Sequence, residues 1–186
     1  ARQLQLPQPQ IVVTQYAGQA REAARQYAAS GTPAALYACG GDGTLNELVQ
    51  GAAGSANVAV GCVPCGSGND YVRNFGAAGQ ASFLDFAAQL QAQPCRVDLL
   101  QTSLGIGIDI CAAGLDAQVA YGIPKFRRLP GCGGTAAYTL SILQAMLSRF
   151  GHKLRVAING KEHTGTYMMA AICNGGYYGG GYQAAP

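Results

Sequence analysis

The residues best suited to chemistry stand in two short glycine-rich segments. The first, Gly40-Gly41-Asp42-Gly43-Thr44, follows the apolar run Ala34–Cys39 and precedes Leu45, Leu48, Val49 and Ala52, which recur at helical spacing. Glycines at a strand-to-helix turn let the backbone approach phosphate oxygens, and the helix start offers free N–H groups and a positive dipole end. Asp42 stands where a carboxylate could hold Mg²⁺ or position a nucleophile. Thr44 could contact a phosphate or simply cap the helix of a plain Gly-Asp-Gly turn. No Gly-Lys-Ser/Thr follows, so this is not a Walker A loop, and GGDGTLNE cannot be written as a dinucleotide fingerprint G-x-G-x-x-G. The second segment, Pro64-Cys65-Gly66-Ser67-Gly68-Asn69-Asp70, follows the strand-like run Val58–Val63 in the same way. Its Asn69 and Asp70 also suit a helix cap before Tyr71-Val72. Consecutive strand ends in one parallel sheet lie side by side, so both loops should line one crevice.

The elements that would position these loops read as follows. Ile11–Thr14 is a β-branched run and predicts a strand. Ala20, Ala23, Ala24, Tyr27 and Ala28 form one helical face, stopped by Gly31-Thr32-Pro33. Ser82–Gln91 predicts a further helix. The first half is thus β-α-β-α-β, the α/β pattern of a parallel sheet with ligands at its carboxyl edge. After a boundary near Gln93–Asp98 the character changes. Arg96–Leu100 and Ile106–Ala112 read as strands, and Leu154–Ile158 and Thr166–Cys173 flank Asn159-Gly160, a strong hairpin signal. Between them one helix is predicted over Thr135–Phe150, with Leu140, Leu143, Met146, Leu147 and Phe150 turned to the core. The closing GGGYQAAP is turn-rich and leaves strand edges open, so the second part reads as incomplete.

Composition narrows the function classes. The chain has 186 residues with a net charge of +3, too small a balance for a charge-driven nucleic-acid binder. Seven cysteines, an odd and scattered set that includes Cys132, do not read as a secreted disulfide framework, which favours a reducing cytoplasm. The uncharged stretches Leu48–Asn69 and His163–Pro186 are broken by polar residues, Gly or Pro, and predict no membrane span.

Taken together, GGDGTLNE followed by Pro64-x-Gly66-Ser67-Gly68-Asn69-Asp70 resembles the diacylglycerol kinase catalytic domain, particularly the soluble bacterial lipid kinases. That group includes sphingosine and ceramide kinases and shares an ancestral fold with NAD kinases and phosphofructokinases. The likeness covers nearly the whole chain, with Thr14, Arg96-Val97-Asp98, Ala113-Gly114-Leu115-Asp116-Ala117, and Asn174 with Gly179-Gly180-Gly181 as supporting matches. It implies an N-terminal three-layer α/β nucleotide-binding domain over residues 1–95 and part of a mostly antiparallel β-sandwich over residues 96–186 that takes a lipid substrate.

It also implies roles. Gly40, Gly41, Asp42, Gly43, Thr44, Leu45 and Asn46 would form the ATP phosphate loop, and Thr14, Gly66, Ser67 and Asn69 would contact the nucleotide. Ser67 stands where the family more often has Thr. Asp42, Asp70 and Asp98 match an acidic network around the transferred phosphate, with Asp42 and Asp98 toward Mg²⁺, and Glu47 would steady the loop. The implied reaction is transfer of the γ-phosphoryl of ATP to a lipid hydroxyl, most simply diacylglycerol giving phosphatidic acid, by a cytoplasmic protein at the membrane surface; family members often form homodimers. The family's first strand and Asn-Pro-x-Ser-Gly loop are expected before Ile11, and its structural Mg²⁺ loop and general base after Pro186.

Other readings stay open beside it. An NAD kinase shares GGDGT, and an inactive nucleotide- or lipid-binding module would keep both loops. Cys62-Val63-Pro64-Cys65 has redox spacing but reads as part of a strand. Lys125-Phe126-Arg127-Arg128 reads as a solvated loop that could meet anionic headgroups, and His152 and His163 read as solvated.

Overall fold

The computed structural model describes residues 8–129, 134–147 and 151–185. Two compact units emerge, residues 1–110 with 173–186, and residues 111–172. In the first, α1 (Gln19–Ser30), β1 (Ala34–Gly40), α2 (Asp42–Ala52) and β2 (Val58–Pro64) alternate, and β1 and β2 pair in parallel. Short helices α3 (Asp70–Arg73), α4 (Gly76–Leu84) and α5 (Phe86–Gln91) follow, then the hairpin of β3 (Leu100–Thr102) and β4 (Gly105–Gly107). The core is small-residued: Ala20 and Ala24 of α1 meet Leu45, Leu48, Val49 and Ala52 of α2, with Ala38, Cys62, Val72 and Ile108. Helix α1 rides close on α2 because Gly51 has no side chain; a Cβ there would collide with Arg21 O and Ala24 Cβ.

The second unit contains α6 (Leu115–Arg127), α7 (Gly134–Leu147) and an antiparallel hairpin of β6 (His152–Ile158) with β7 (Lys161–Tyr167). Its turn, Asn159-Gly160, has φ of 50° and 78°, the double positive φ of a type I′ turn. Strand β5 (Ile110–Gly114) pairs with β8 (Met169–Cys173). The chain ends in the hairpin of β9 (Tyr177–Tyr178) and β10 (Tyr182–Gln183), which belongs to the first unit. The fold is α/β with a parallel pair at the start and antiparallel strands after it.

Several local expectations are corrected. Ile11–Thr14 forms no strand, and Ile11 and Val13 stand 82% and 72% exposed; β-branched residues favour a ladder only where a neighbour pairs with them. The helix expected over Ser82–Gln91 breaks at Asp85, whose carboxylate caps α5 by accepting from Ala88 N at 3.0 Å. The strand expected over Arg96–Leu100 is confined to β3, and that over Ile106–Ala112 is split into β4 and β5 around Ile108-Asp109. Thr166–Cys173 likewise divides between β7 and β8, and GGGYQ, expected as turn only, forms β9–β10 through Gly179, Gly180 and Gly181, all at positive φ.

Helix α6 was not expected, because Gly122 and Pro124 lie inside it. It forms against α7: a side chain at Gly122 would collide with Ser141, whose Oγ donates to Val119 O at 2.6 Å. Ala137, Ser141 and Ala145 are therefore the buried face of α7, while Leu143 and Leu147 are exposed, opposite to the apolar face expected. Lys125-Phe126-Arg127-Arg128 closes helix α6 instead of forming a loop. His152 is half-buried, its Nε2 without a hydrogen bond among the described residues. Cys132, Phe150 and Pro186 lie outside the described residues.

Candidate functional site

Strands β1 and β2 pair with Ala34 opposite Val58 and Gly40 opposite Pro64, so their carboxyl ends are level. One further bond, Cys65 N–H to Gly40 O at 2.9 Å, carries the pairing into the loops. Both glycine segments thus leave the sheet at one height, and they touch. A side chain at Gly66 would collide with Gly41 Cα, and a Cβ at Gly41 would lie 3.2 Å from Gly66 Cα. Only residues lacking Cβ permit this backbone contact.

Gly41 is the N-cap of α2, and no side chain among the described residues caps the helix. The amides of Asp42 and Gly43 lack intrahelical partners, Thr44 N donates to Gly41 O at 3.0 Å, and open space stands where a side chain of Gly43 would be. An anion can reach those amides. Thr44 is not the cap; its hydroxyl folds back to Gly40, where a Cβ would lie 2.7 Å from Oγ1. Leu45 turns its side chain into the core, Asn46 Oδ1 accepts from Ile108 N at 3.2 Å, and Glu47 Oε1 accepts from Gly18 N at 2.8 Å. Glu47 therefore fixes the turn before α1 instead of its own loop, and Leu45 and Asn46 offer a ligand little but backbone.

The second loop closes on itself. Asn69, at φ 54° and ψ 46°, accepts from Gly66 N at 2.9 Å and donates to Gly66 O at 2.8 Å. Asp42 reaches across from the first loop: its Oδ1 accepts from Tyr71 N at 3.1 Å, while Oδ2 lies 3.0 Å from where a Gly68 Cβ would be. Asp70 is buried, flanks the same glycine, and accepts with both oxygens from Gly180 N at 2.9 and 3.1 Å. Its neighbour Arg73 sits 3.5 Å away and donates to Gly68 O at 3.1 Å.

Asp42 and Asp70 thus meet beside Gly68, Gly41 of the Gly40–Thr44 loop packs on Gly66, and Asn69 holds Gly66 in turn. Ser67 is exposed in the loop between them. Asp98 is exposed; its backbone carbonyl accepts from Asn174 Nδ2 at 2.8 Å. Thr14 is exposed and forms no hydrogen bond to a described residue.

Three further residues join the site. Asp109 feels the charges of both Asp42 and Asp70; burial, then those charges, push its carboxyl up to about 6 against the pull of a hydrogen bond from Asn74. Asn74 Nδ2 donates to Asp109 Oδ1 at 3.1 Å, and Asn174 N donates to Asp109 O at 2.8 Å. The signal for Asp109 was an acid set between Ile108 and Ile110, though an ordinary strand-end turn accounts for that pattern equally well. The redox spacing of Cys62 and Cys65 carries no reactive pair: both thiols are free, and burial first, then Asp42, pushes Cys62 up to about 12.

The crevice between the loops holds only about 10 Å³ and is lined by Gly40, Gly41, Asp42 and Asn69 among others. A phosphate would lie over the loops, not between them. A larger groove of about 560 Å³, along Gln10, Tyr16, Glu22 and Tyr27, touches neither loop. Among the described residues no three acidic, His or Cys side chains converge on a metal position. A Mg²⁺ bound mainly by nucleotide phosphates and water needs only one or two carboxylates. Asp42 fits that need through Oδ2, which has no hydrogen-bond partner among the described residues, whereas Asp70 has both oxygens engaged.

Residues 2–102 match the family model of the diacylglycerol kinase catalytic domain, and residues 109–186 that of the YegS C-terminal NAD kinase beta sandwich-like domain. The chain is 30% identical over 180 residues to a Chromohalobacter salexigens protein named "Probable lipid kinase YegS-like", covering 95% of this chain and 56% of that one. It is 28% identical over 152 residues to the "Diacylglycerol kinase" of Bacillus subtilis strain 168, covering 81% and 50%. Among solved structures it is similar to a diacylglycerol kinase from Bacillus anthracis str. Sterne, with a TM-score of 0.61, 20% identity, and coverage of 90% of this chain and 53% of that one. The last likeness is one of fold. The chain spans about half the length of the curated relatives it matches.

Proposed function

Because the chain belongs to the family of the diacylglycerol kinase catalytic domain, we propose that the whole protein transfers the γ-phosphoryl of ATP to the hydroxyl of a lipid, with diacylglycerol as the first acceptor to test. The observation that carries the reading is the backbone contact of Gly41 with Gly66, with the Asp42 carboxylate spanning both loops to Tyr71 N. In this proposal residues 1–95 bind the nucleotide and residues 96–186 contribute to the lipid side.

The α2 amides and the open face at Gly43 bind phosphate oxygens; Asn69 keeps the second loop folded while Ser67 and Gly66 meet the nucleotide. Asp42 holds its Oδ2 toward the transferred group, and Asp70 and Asp98 complete the acidic surround. Asp42, with Asp98, would hold Mg²⁺, which when bound would supply charge neutralisation at the phosphates. Positioning and charge neutralisation carry such a transfer. No helix among the described residues is long and apolar enough to cross a membrane, and the proposal places the protein in the cytoplasm, meeting its substrate at the bilayer surface, as a homodimer.

The test offers the whole protein γ-labelled ATP and Mg²⁺ with micelles of diacylglycerol, sphingoid bases, ceramide and phosphatidylglycerol, and NAD alongside. Label in a lipid that disappears in Asp42→Asn supports the proposal and names the acceptor. Label in NAD alone, or none anywhere while ATP binds, overturns it.

A further inference from the structure

The acidic site is bonded by one stretch of chain, Asn174–Gly180, far from it in sequence. Asn174 Nδ2 donates to Asp98 O and to Ile108 O, each at 2.8 Å. The amides of Asn174 and Gly175 donate to Asp109 O at 2.8 and 3.2 Å. Gly176 N donates to Asn74 Oδ1 at 2.7 Å, and Gly180 N ends the run on the Asp70 carboxylate. The far end is held too, since Ala184 N donates to Gly176 O at 2.8 Å and Gly181 lies against the Arg73 guanidinium.

Two side chains, Asn74 and Asp109, also hold this strap. Asn74 bridges two backbones and a carboxylate: Nδ2 donates to Tyr71 O at 3.0 Å and to Asp109 Oδ1 at 3.1 Å, while Oδ1 accepts from the Gly176 amide. Asp109 Oδ1 occupies the space a Gly175 side chain would need. Buried or half-buried polar groups are kept in place by such closed networks, and removing one member frees several partners at once. Asn74 is itself exposed, so its bonds serve the strap and not the core.

We propose that Asn74 and Asp109 are positioning residues, which pin Asn174–Gly180 so that the Gly180 amide holds Asp70, and Asn174 the Asp98 backbone, in the geometry that phosphoryl transfer requires. The inference rests on the lipid-kinase reading. A carboxylate displaced by about an ångström costs a reaction far more than it costs binding. The strap therefore acts on turnover, not on ATP affinity.

In the whole protein, assayed on whichever acceptor takes label, Asn74→Ala and Asp109→Ala each lower kcat at least about tenfold, with the KM for ATP within about twofold. Asp109→Asn keeps an oxygen for Asn74 and restores kcat. Together, Asn74→Ala and Asp109→Ala cost no more than either alone, since both break one unit. Gly175→Ala, which pushes the Asp109 carboxylate aside, behaves like them if Asn74→Ala should fail to fold. Amide hydrogen exchange at Gly180 accelerates in Asn74→Ala. A loss of thermal stability with kcat intact, a parallel rise in KM, or Asp109→Asn no better than Asp109→Ala overturns the proposal. If the wild type labels no acceptor, the lipid-kinase reading fails and Gly180 exchange alone judges the strap: faster exchange supports it, unchanged exchange overturns it.

Discussion

At Asp42 the two carboxylate oxygens face different tasks: Oδ1 is bound to Tyr71 N, and Oδ2 has no partner among the described residues. Asp42→Asn retains the first and neutralises the second. It should unfold within about 2 °C of wild type, since one hydrogen bond is kept, yet lose on the order of 100-fold in transfer rate. Circular dichroism melts beside initial rates check both halves; a fall in melting temperature matching the fall in rate would make Asp42 structural. Asp109 bears on stability differently. Its folded value of about 6 lies above the ordinary 3.8, so the folded state holds this proton more tightly than the unfolded one. The favourable contribution is whole below about pH 4 and is lost as pH rises to about 6. Asp109→Asn removes that dependence, so it should raise the melting temperature relative to wild type more at pH 7.5 than at pH 4.5. Equal shifts at both values would contradict the burial argument.

At the scale of elements, Gly66, at the loop contact, and Gly43, beside open space, are not equivalent. Gly66→Ala brings a Cβ onto Gly41 Cα and Asn69 Oδ1 and should cost roughly 1–3 kcal/mol in urea unfolding, together with ATP binding. Gly43→Ala meets nothing within 4 Å; in the first turn of α2 it should leave stability equal, or higher by up to about 1 kcal/mol, while weakening ATP binding by crowding the open amides. Equal stability losses in the two variants would mean that the loops do not pack as described. These loops were legible in the sequence because everything that defines them is local: a strand, glycines, an acid, a helical repeat. Ile11–Thr14 was misread because a strand depends on a partner elsewhere in the chain. Helix α6 was missed because Gly122 and Pro124 are breakers by local rules, and only close packing on Ser141 explains the glycine. The α7 leucines misled for a similar reason: Ala137, Ser141 and Ala145 won the buried face by allowing closer approach. The strap was illegible, since its side-chain bonds join residues 66 to 110 positions apart.

At the scale of the whole molecule, one chemical reading organises both stretches of the first unit. Residues up to 110 supply the loops, and residues 173–186 return to the same unit and bond to Asp70 and Asp98. Helices α6 and α7 and the β6–β7 hairpin form a unit of their own between them. The proposed function puts a nucleotide at the level carboxyl ends of β1 and β2, not in the larger groove beside α1. Amide hydrogen exchange of the whole protein with and without ATP and Mg²⁺ distinguishes these places directly. Slowed exchange confined to residues 41–44 and 66–70, appearing together at one ATP concentration, is the result this account predicts. Protection along Gln10–Glu22 with both glycine loops unchanged would contradict it.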